Sequence, residues 1–287
     1  MSDSSMARLG AVAYAPKVVT IWEGFRAHFA QRGYDFDYVL YSNYEAQVEA
    51  LMAGDIDLAW NSPLAWIRAD RMARARGEAV QAIAMRDTDM DLQSVLVVPT
   101  RAPAQSAADL RSATIGFGAI DSPQATLIPL DHLRQAGLVG GRDYTVRRFD
   151  VLGGKHGDHI GGERDAALAM LAGEVDAAWM IADNYRAFAK EGTLPAGATR
   201  VLATTGAFDH CNMTSGPRFD AARRDRFRDL LLEMSWEDPL VRPLLELEGL
   251  KAWQPGRTRG YALLERAVDD EGFYDAAGAI TAEGYRY

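Results

Sequence analysis

LMAGDIDLAW, residues 51–60, returns as MLAGEVDAAW, residues 170–179. In each copy an apolar-periodic stretch ends at a glycine, Gly54 or Gly173. An acidic residue, a β-branched residue and an aspartate follow, then a short apolar run closing on Trp60 or Trp179. That order reads as a helix, a glycine C-cap and a buried strand. A chain that makes the unit twice is expected to have two similar α/β lobes. Two hinged lobes leave a cleft where a small ligand can bind.

The flanking segments extend the pattern. Residues 9–14 and 36–41 read as strands, 18–30 and 44–52 as helices, and 56–60 as the strand after Gly54. Asn61-Ser62-Pro63 reads as a turn into another helix, with Ser62 as N-cap and Pro63 in the first turn. Strands are expected at 80–85 and 93–98. The second lobe repeats the rhythm: a short helix in AADLRS, a strand at 113–117, a helix from Asp121-Ser122-Pro123 to about 136, and a strand at 145–151. A helix at 163–172 and strands at 175–180 and 201–204 follow. Helices are expected at 223–234, 238–247 and 261–268, and runs such as RRDRFRD read as solvated helix faces. Alternating strands and helices mean sheets covered on both faces.

A length of 287 residues suits one large domain or two of ordinary size. The net charge of −9 argues against a nucleic-acid surface. No apolar stretch reaches the length of a membrane span. The single cysteine, Cys211, excludes an internal disulfide. MSDSSMARLG has no cationic start followed by an apolar run, so the chain as written is expected in the cytosol, or in the periplasm if a leader has been removed.

Five stretches carry a family resemblance: AYAP, YEAQVEALMAGDIDLAWNSPLAW, SVLVVPTRAPAQSAADLRSATIGFG, TLIPLDHL and RDAALAMLAGEVDAAW. Over about residues 9–250 the chain resembles the substrate-binding proteins of phosphate/phosphonate ABC transporters, a group with the type II periplasmic-binding-protein fold. The resemblance implies an α/β fold with two lobes, mixed sheets with helices on both faces, and a central cleft closing on a small anionic ligand. It implies a discontinuous lobe one, placed at 1–98 and 207–287, with lobe two at 99–206. It also implies an ABC permease as partner if the protein is exported.

The resemblance also marks positions. Tyr44 matches a tyrosine that relatives place on the ligand. Phosphonate-binding members use a Ser/Thr/Ser/Gly run at a helix N-terminus, where free N–H groups, hydroxyls and the helix dipole hold an oxyanion. The matching residues are Ser122, Pro123, Gln124 and Ala125. Only Ser122 keeps a hydroxyl, Pro123 removes an N–H, and Thr126 is placed to compensate. The expected ligand-binding set is Tyr14, Tyr44, Asn61, Ser62, Ser122, Gln124, Thr126 and His156. Trp60, like its repeat partner Trp179, is expected to pack in the core.

A second departure is GGKHGDHIGG at 153–162, where the first lobe needs only a short turn. With FDHCN at 208–212 it supplies a candidate metal set: His156, His159, Glu163, Asp209, His210 and Cys211. Imidazole, carboxylate and thiolate suit zinc or iron. This supports a second reading, a cytosolic metal-dependent enzyme of decarboxylase, lyase or non-heme-iron type on the same fold. The bland alternative is a polar surface loop and an unrelated His-Cys pair. Direct activation of Cys211 by His210 is disfavoured, because adjacent residues on an extended strand point to opposite faces.

Overall fold

The computed structural model describes residues 6–157 and 162–287. The chain forms two α/β units. The first comprises Met1–Met90, Asp209–Tyr261 and Tyr274–Ile280; the second comprises Asp91–Phe208, Ala262–Phe273 and Thr281–Tyr287. Among the described residues no helix is long and apolar enough to cross a membrane.

In the first unit, β1 (Ala7–Val12) pairs in parallel with β2 (Phe36–Tyr41) and β3 (Leu58–Asn61). Two connecting helices, α1 (Lys17–Ala30) and α2 (Tyr44–Ala53), make these crossovers. Helix α3 (Pro63–Ala75) leads to β4 (Gln81–Arg86). Strand β10 (Asn212–Ser215) returns antiparallel between β3 and β4, and β11 (Trp253–Pro255) closes the far edge beside β4. The six-stranded order is β11-β4-β10-β3-β1-β2. Its core is aromatic: Trp22, Phe25, Phe29, Phe36, Phe227 and Trp253 are buried together. Helices α7 (Ala221–Leu232) and α8 (Arg242–Glu248) complete the unit.

In the second unit, β6 (Thr114–Phe117) pairs in parallel with β7 (Thr145–Arg148) and β8 (Ala177–Ile181). Strand β5 (Ser94–Pro99) lies antiparallel between β8 and β9 (Thr199–Thr204), giving the five-stranded order β7-β6-β8-β5-β9. Along β5, Val95 and Val97 enter one apolar cluster while Leu96 and Val98 enter another. That alternation shows a strand buried on both faces. The unit's helices are α4 (Ile128–Gln135), α5 (Glu163–Ala172), α6 (Ala182–Glu191) and α9 (Ala262–Asp270).

The repeated decapeptide performs the same construction twice. Helices α2 and α5 end at Gly54 (φ 83°) and Gly173 (φ 78°), in the left-handed region that glycine enters without a Cβ penalty. The aspartates Asp57 and Asp176 also act alike. Asp57 donates its N–H to Arg8 O at 2.8 Å while its carboxylate accepts the Arg8 N–H at 2.8 Å. Asp176 does the same with Thr114, at 2.7 and 2.8 Å. Each aspartate thus clamps the repeat's strand to the first parallel strand of its unit. Trp60 meets Trp253 edge-on at 5.5 Å, and Trp179 meets His132 edge-on at 5.5 Å, so both tryptophans pack in their cores as expected.

The division differs from the expected 1–98 and 207–287 against 99–206. The implied boundary puts the strand at 93–98 in lobe one, whereas β5 is an interior strand of the second unit's sheet. The C-terminal segment also divides. Helix α9 joins the second unit through Arg266, which holds Asp131 at 2.7 Å, and through the Arg134–Glu271 pair. Tyr285 packs on Phe273 at 5.0 Å in that unit. Residues 274–280 stay with the first unit, where Tyr274 and Gly278 engage α2 and α3. These are long-range contacts that no local periodicity encodes.

Candidate functional site

In both units the candidate residues lie just beyond the C-terminal ends of the parallel strands, where open α/β sheets place ligand sites. In the first unit Tyr14 follows β1, Tyr44 follows β2, Asn61 ends β3 and Ser62 comes next as the N-cap of α3. Tyr44 is buried and Tyr14 half-buried, with the Lys17 ammonium 5.8 Å from the Tyr14 ring centre. Ser62 Oγ accepts the Ala65 N–H at 3.1 Å, the expected cap of α3. Asn43, not singled out by sequence, caps α2 by accepting from Ala46 at 2.8 Å. Asn61 is committed to internal bonds: its Oδ1 accepts from Gln47 Nε2 at 2.8 Å and its Nδ2 donates to Thr214 Oγ1 at 2.9 Å. The Thr214 hydroxyl donates to Asn212 Oδ1 at 2.7 Å, and Asn212 Nδ2 donates to the Tyr261 oxygen at 2.9 Å. Asn61 therefore supports the floor of this region through a buried polar chain.

In the second unit Ser122, Gln124, Thr126 and His156 are all buried. The helix expected from residue 121 begins instead as a wide π turn, Pro123–Leu127, before α4. The cause is Pro129, which has no N–H to donate to the Ala125 carbonyl four residues earlier. That carbonyl accepts from Gly118 at 3.1 Å instead, while Leu127 N–H reaches back to Ser122 O at 3.0 Å. Such π turns are frequent at functional sites. Ser122 Oγ caps Ala125 N–H at 3.1 Å. The Thr126 hydroxyl is buried with no hydrogen-bond partner among the described residues.

Residues 154–157 of the inserted loop coil back onto Asp121. Gly154, His156 and Gly157 all have positive φ, at 77°, 52° and 60°. This coil directs the Gly154 and His156 N–H groups onto Asp121 Oδ2 at 2.6 and 3.1 Å, with the Tyr285 hydroxyl at 3.3 Å. Gly157 has no room for a side chain, since a Cβ there would stand 2.5 Å from Ser122 Oγ. Gln124 Nε2 donates to Gly157 O at 2.9 Å and to Glu163 Oε1 at 3.4 Å. The other Glu163 oxygen accepts from Ile181 N–H at 2.9 Å and Asn184 Nδ2 at 2.8 Å. Two anion-receptive sets of donors are thus filled by the protein's own carboxylates, Asp121 and Glu163.

Burial pushes the Asp121 carboxyl above its ordinary range, against the opposing influence of His156 and the loop N–H groups. Its Oδ1 has no partner among the described residues. An acid whose folded pKa is raised contributes stability that is complete below the unfolded pKa, about 3.9. That contribution is lost as pH rises through the folded value. Asp121→Asn keeps one oxygen for the three donors and carries no charge. The variant is expected to lose this falling component of the stability–pH curve above about pH 4. Urea unfolding across pH 4–8 checks it; identical slopes for the two proteins would refute it.

The six candidate metal ligands are divided between the two units. His156 and Glu163 belong to the second unit, and Asp209, His210 and Cys211 to the first. His159 lies outside the described residues. Glu163 is engaged as above. Asp209 is held by Arg257 through two bonds of 2.6 Å. The group that does converge is Asp89, His210 and Cys211, all buried, with one ligand atom of each within 4.8 Å of the others. Asp89 was missed because its partners are distant in sequence. Burial alone would raise its carboxyl, but Arg86 and His210 outweigh that and hold it at about 2. His210 Nδ1 lies 3.1 Å from Cys211 Sγ. The alternation argument against such an approach does not apply, because β10 begins only at Asn212.

Three solved structures show the fold. The PhnD1 protein of Prochlorococcus marinus in complex with methylphosphonate is 18% identical, covers 93% of this chain and 98% of its own, and has a TM-score of 0.69. A Xanthomonas citri protein bound to ATP is 16% identical, with 93% and 99% coverage and a TM-score of 0.71. The periplasmic aliphatic sulphonate binding protein SsuA of Escherichia coli is 19% identical, with 99% and 95% coverage and a TM-score of 0.56. None of these comparisons supports the enzyme alternative. The model of the family described as ABC transporter, phosphonate, periplasmic substrate-binding protein matches residues 11–261. With that match spanning most of the chain and the fold shared, the protein belongs to the phosphonate-type substrate-binding proteins of ABC transporters, a family of small-ligand binders.

Proposed function

We propose that the protein captures a small organic oxyanion of the phosphonate, phosphate or sulfonate class and presents it to an ABC permease outside the cytoplasmic membrane. The observation that carries this reading is the π turn at Pro123–Leu127 with the buried, unpartnered Thr126 hydroxyl in it. A buried hydroxyl without a partner costs free energy unless a ligand meets it. The turn lies at a helix N-terminus, which favours an anion.

Within the second unit the candidate ligand contacts are Ser122, Gln124, Thr126 and His156; within the first they are Tyr14, Tyr44 and Ser62. Asn61 holds the latter in place. The internal carboxylates Asp121 and Glu163 narrow the donors left for a ligand. The recognised group is therefore smaller or less heavily bonded than a phosphonate held by a full Ser/Thr/Ser/Gly run. The permease partner and the extracytoplasmic compartment rest on the family's description as periplasmic transporter components.

Calorimetric titration against phosphate, methylphosphonate, alkanesulfonates and small carboxylates tests the ligand class. Heat from one oxyanion series, with silence from neutral analogues of the same shape, is the expected result. Silence from every anion would overturn oxyanion capture. Fractionation of cells carrying the native gene tests the compartment, and recovery only with the cytosol would overturn the transport role.

A further inference from the structure

We propose that Asp89, His210 and Cys211 form a site for one zinc-class divalent cation, built wholly within the first unit from residues other than the proposed oxyanion donors. The ligands come from two stretches that the backbone ties together. Asp89 ends the 3-10 turn Asp87–Asp89 after β4, and His210-Cys211 lead into β10. The His210 N–H donates to the Asp89 carbonyl at 2.8 Å. This fixes the approach of the side chains before any metal arrives.

The spacing is that of ligands around one ion. His210 Nδ1 is 3.1 Å from Cys211 Sγ and 3.6 Å from Asp89 Oδ1. A tetrahedral zinc with bonds of about 2.0–2.3 Å separates its ligand atoms by about 3.3–3.6 Å. All three residues are buried, so the spacing is set by packing. Thiolate, imidazole and carboxylate together suit zinc, leaving a fourth position for water.

A Cys-His-Asp nucleophile is the rival chemistry, and the geometry disfavours it. A catalytic histidine serves its nucleophile through one ring nitrogen and its orienting acid through the other. Here Sγ and Oδ1 both approach the same nitrogen, Nδ1.

The surrounding charges support a cation. Arg86 holds Asp89 through bonds of 2.5 and 2.9 Å and reaches Glu248 at 3.3 Å. One guanidinium therefore stands against two carboxylates in a buried setting. Adding a Cys211 thiolate and a divalent ion brings the group to neutrality, the condition under which buried charge is tolerated. Arg86 then orients the ligating carboxylate from outside, as outer-shell partners of metal sites do.

The test uses the full chain, stripped with a chelator and titrated with cobalt(II). One equivalent is expected to bind with a thiolate-to-cobalt charge-transfer band in the near ultraviolet, and zinc is expected to displace it. Cys211→Ser should lose that band, and Asp89→Asn should weaken cobalt binding by at least about tenfold. A band of undiminished intensity in Cys211→Ser would overturn the proposal. A second readout needs no variant: zinc should raise the melting temperature of the intact protein and the chelator should reverse it. A wild-type chain showing neither the band nor the shift refutes the site.

Discussion

Replacing Thr126 with valine is expected to stabilise the ligand-free protein and to cripple anion capture. The side chains have nearly the same shape, so the change removes a hydroxyl and little else. Thr126 is 2% exposed and its Oγ1 has no hydrogen-bond partner among the described residues. An unsatisfied buried hydroxyl costs about 1–3 kcal/mol, and the variant recovers part of that. In the liganded state the same hydroxyl would donate to a charged oxygen, a bond contributing about 1.5–3 kcal/mol. Its loss therefore weakens binding by about 10- to 150-fold. Urea unfolding of the free protein and calorimetry with the best oxyanion of the panel read the two effects. A variant that is less stable but binds as the parent does would show that the hydroxyl works inside the fold.

Arg68→Ala is expected to destabilise the first unit by about 3–5 kcal/mol, the usual cost of removing one partner of a buried ion pair. The Arg68 and Glu45 side chains are 7% and 0% exposed, and their charged groups meet at 2.7 Å. Arg68 also donates to Glu49 at 2.8 Å, to the Glu45 carbonyl at 2.9 Å and to the Gly278 carbonyl at 3.1 Å. Glu45 Oε1 accepts the Tyr274 hydroxyl at 2.6 Å. The arginine thus joins α2, α3 and the 274–280 segment. Alanine would take the Arg68 counter-ion away from the buried Glu45 carboxylate. The Arg68→Met/Glu45→Leu double variant should recover much of the loss, because well-packed apolar groups can replace a buried pair. Denaturant unfolding of the single and double variants decides it; a single-variant loss below about 1 kcal/mol would place the pair in the class of weak surface bridges.

The two proposed sites differ in how they could be found. Ser122, Gln124 and Thr126 fall in one short run whose spacing marks a helix start, and the structure buries them together. His156 was visible as an unusual residue in an inserted loop. That it folds inward over Asp121 depends on a positive-φ backbone at a non-glycine residue, which no local propensity indicates. Asp209 was the natural acidic candidate beside His210. Arg257, 48 residues away, takes it, and Asp89 stands in its place because β4 and β10 are neighbours in the sheet.

What the sequence determined by itself was the repeated unit. A helix face, a glycine that alone tolerates left-handed φ, an aspartate and an apolar strand are local statements, and the structure carries them out identically in both sheets. Tertiary structure decided the rest. It moved β5 into the second sheet, because a strand apolar on both faces gains most as an interior strand. It divided the C-terminal segment between the units, and it chose which carboxylate faces His210. Those outcomes depend on which distant groups can satisfy a buried charge or donor, and that competition is settled only when the whole chain has packed.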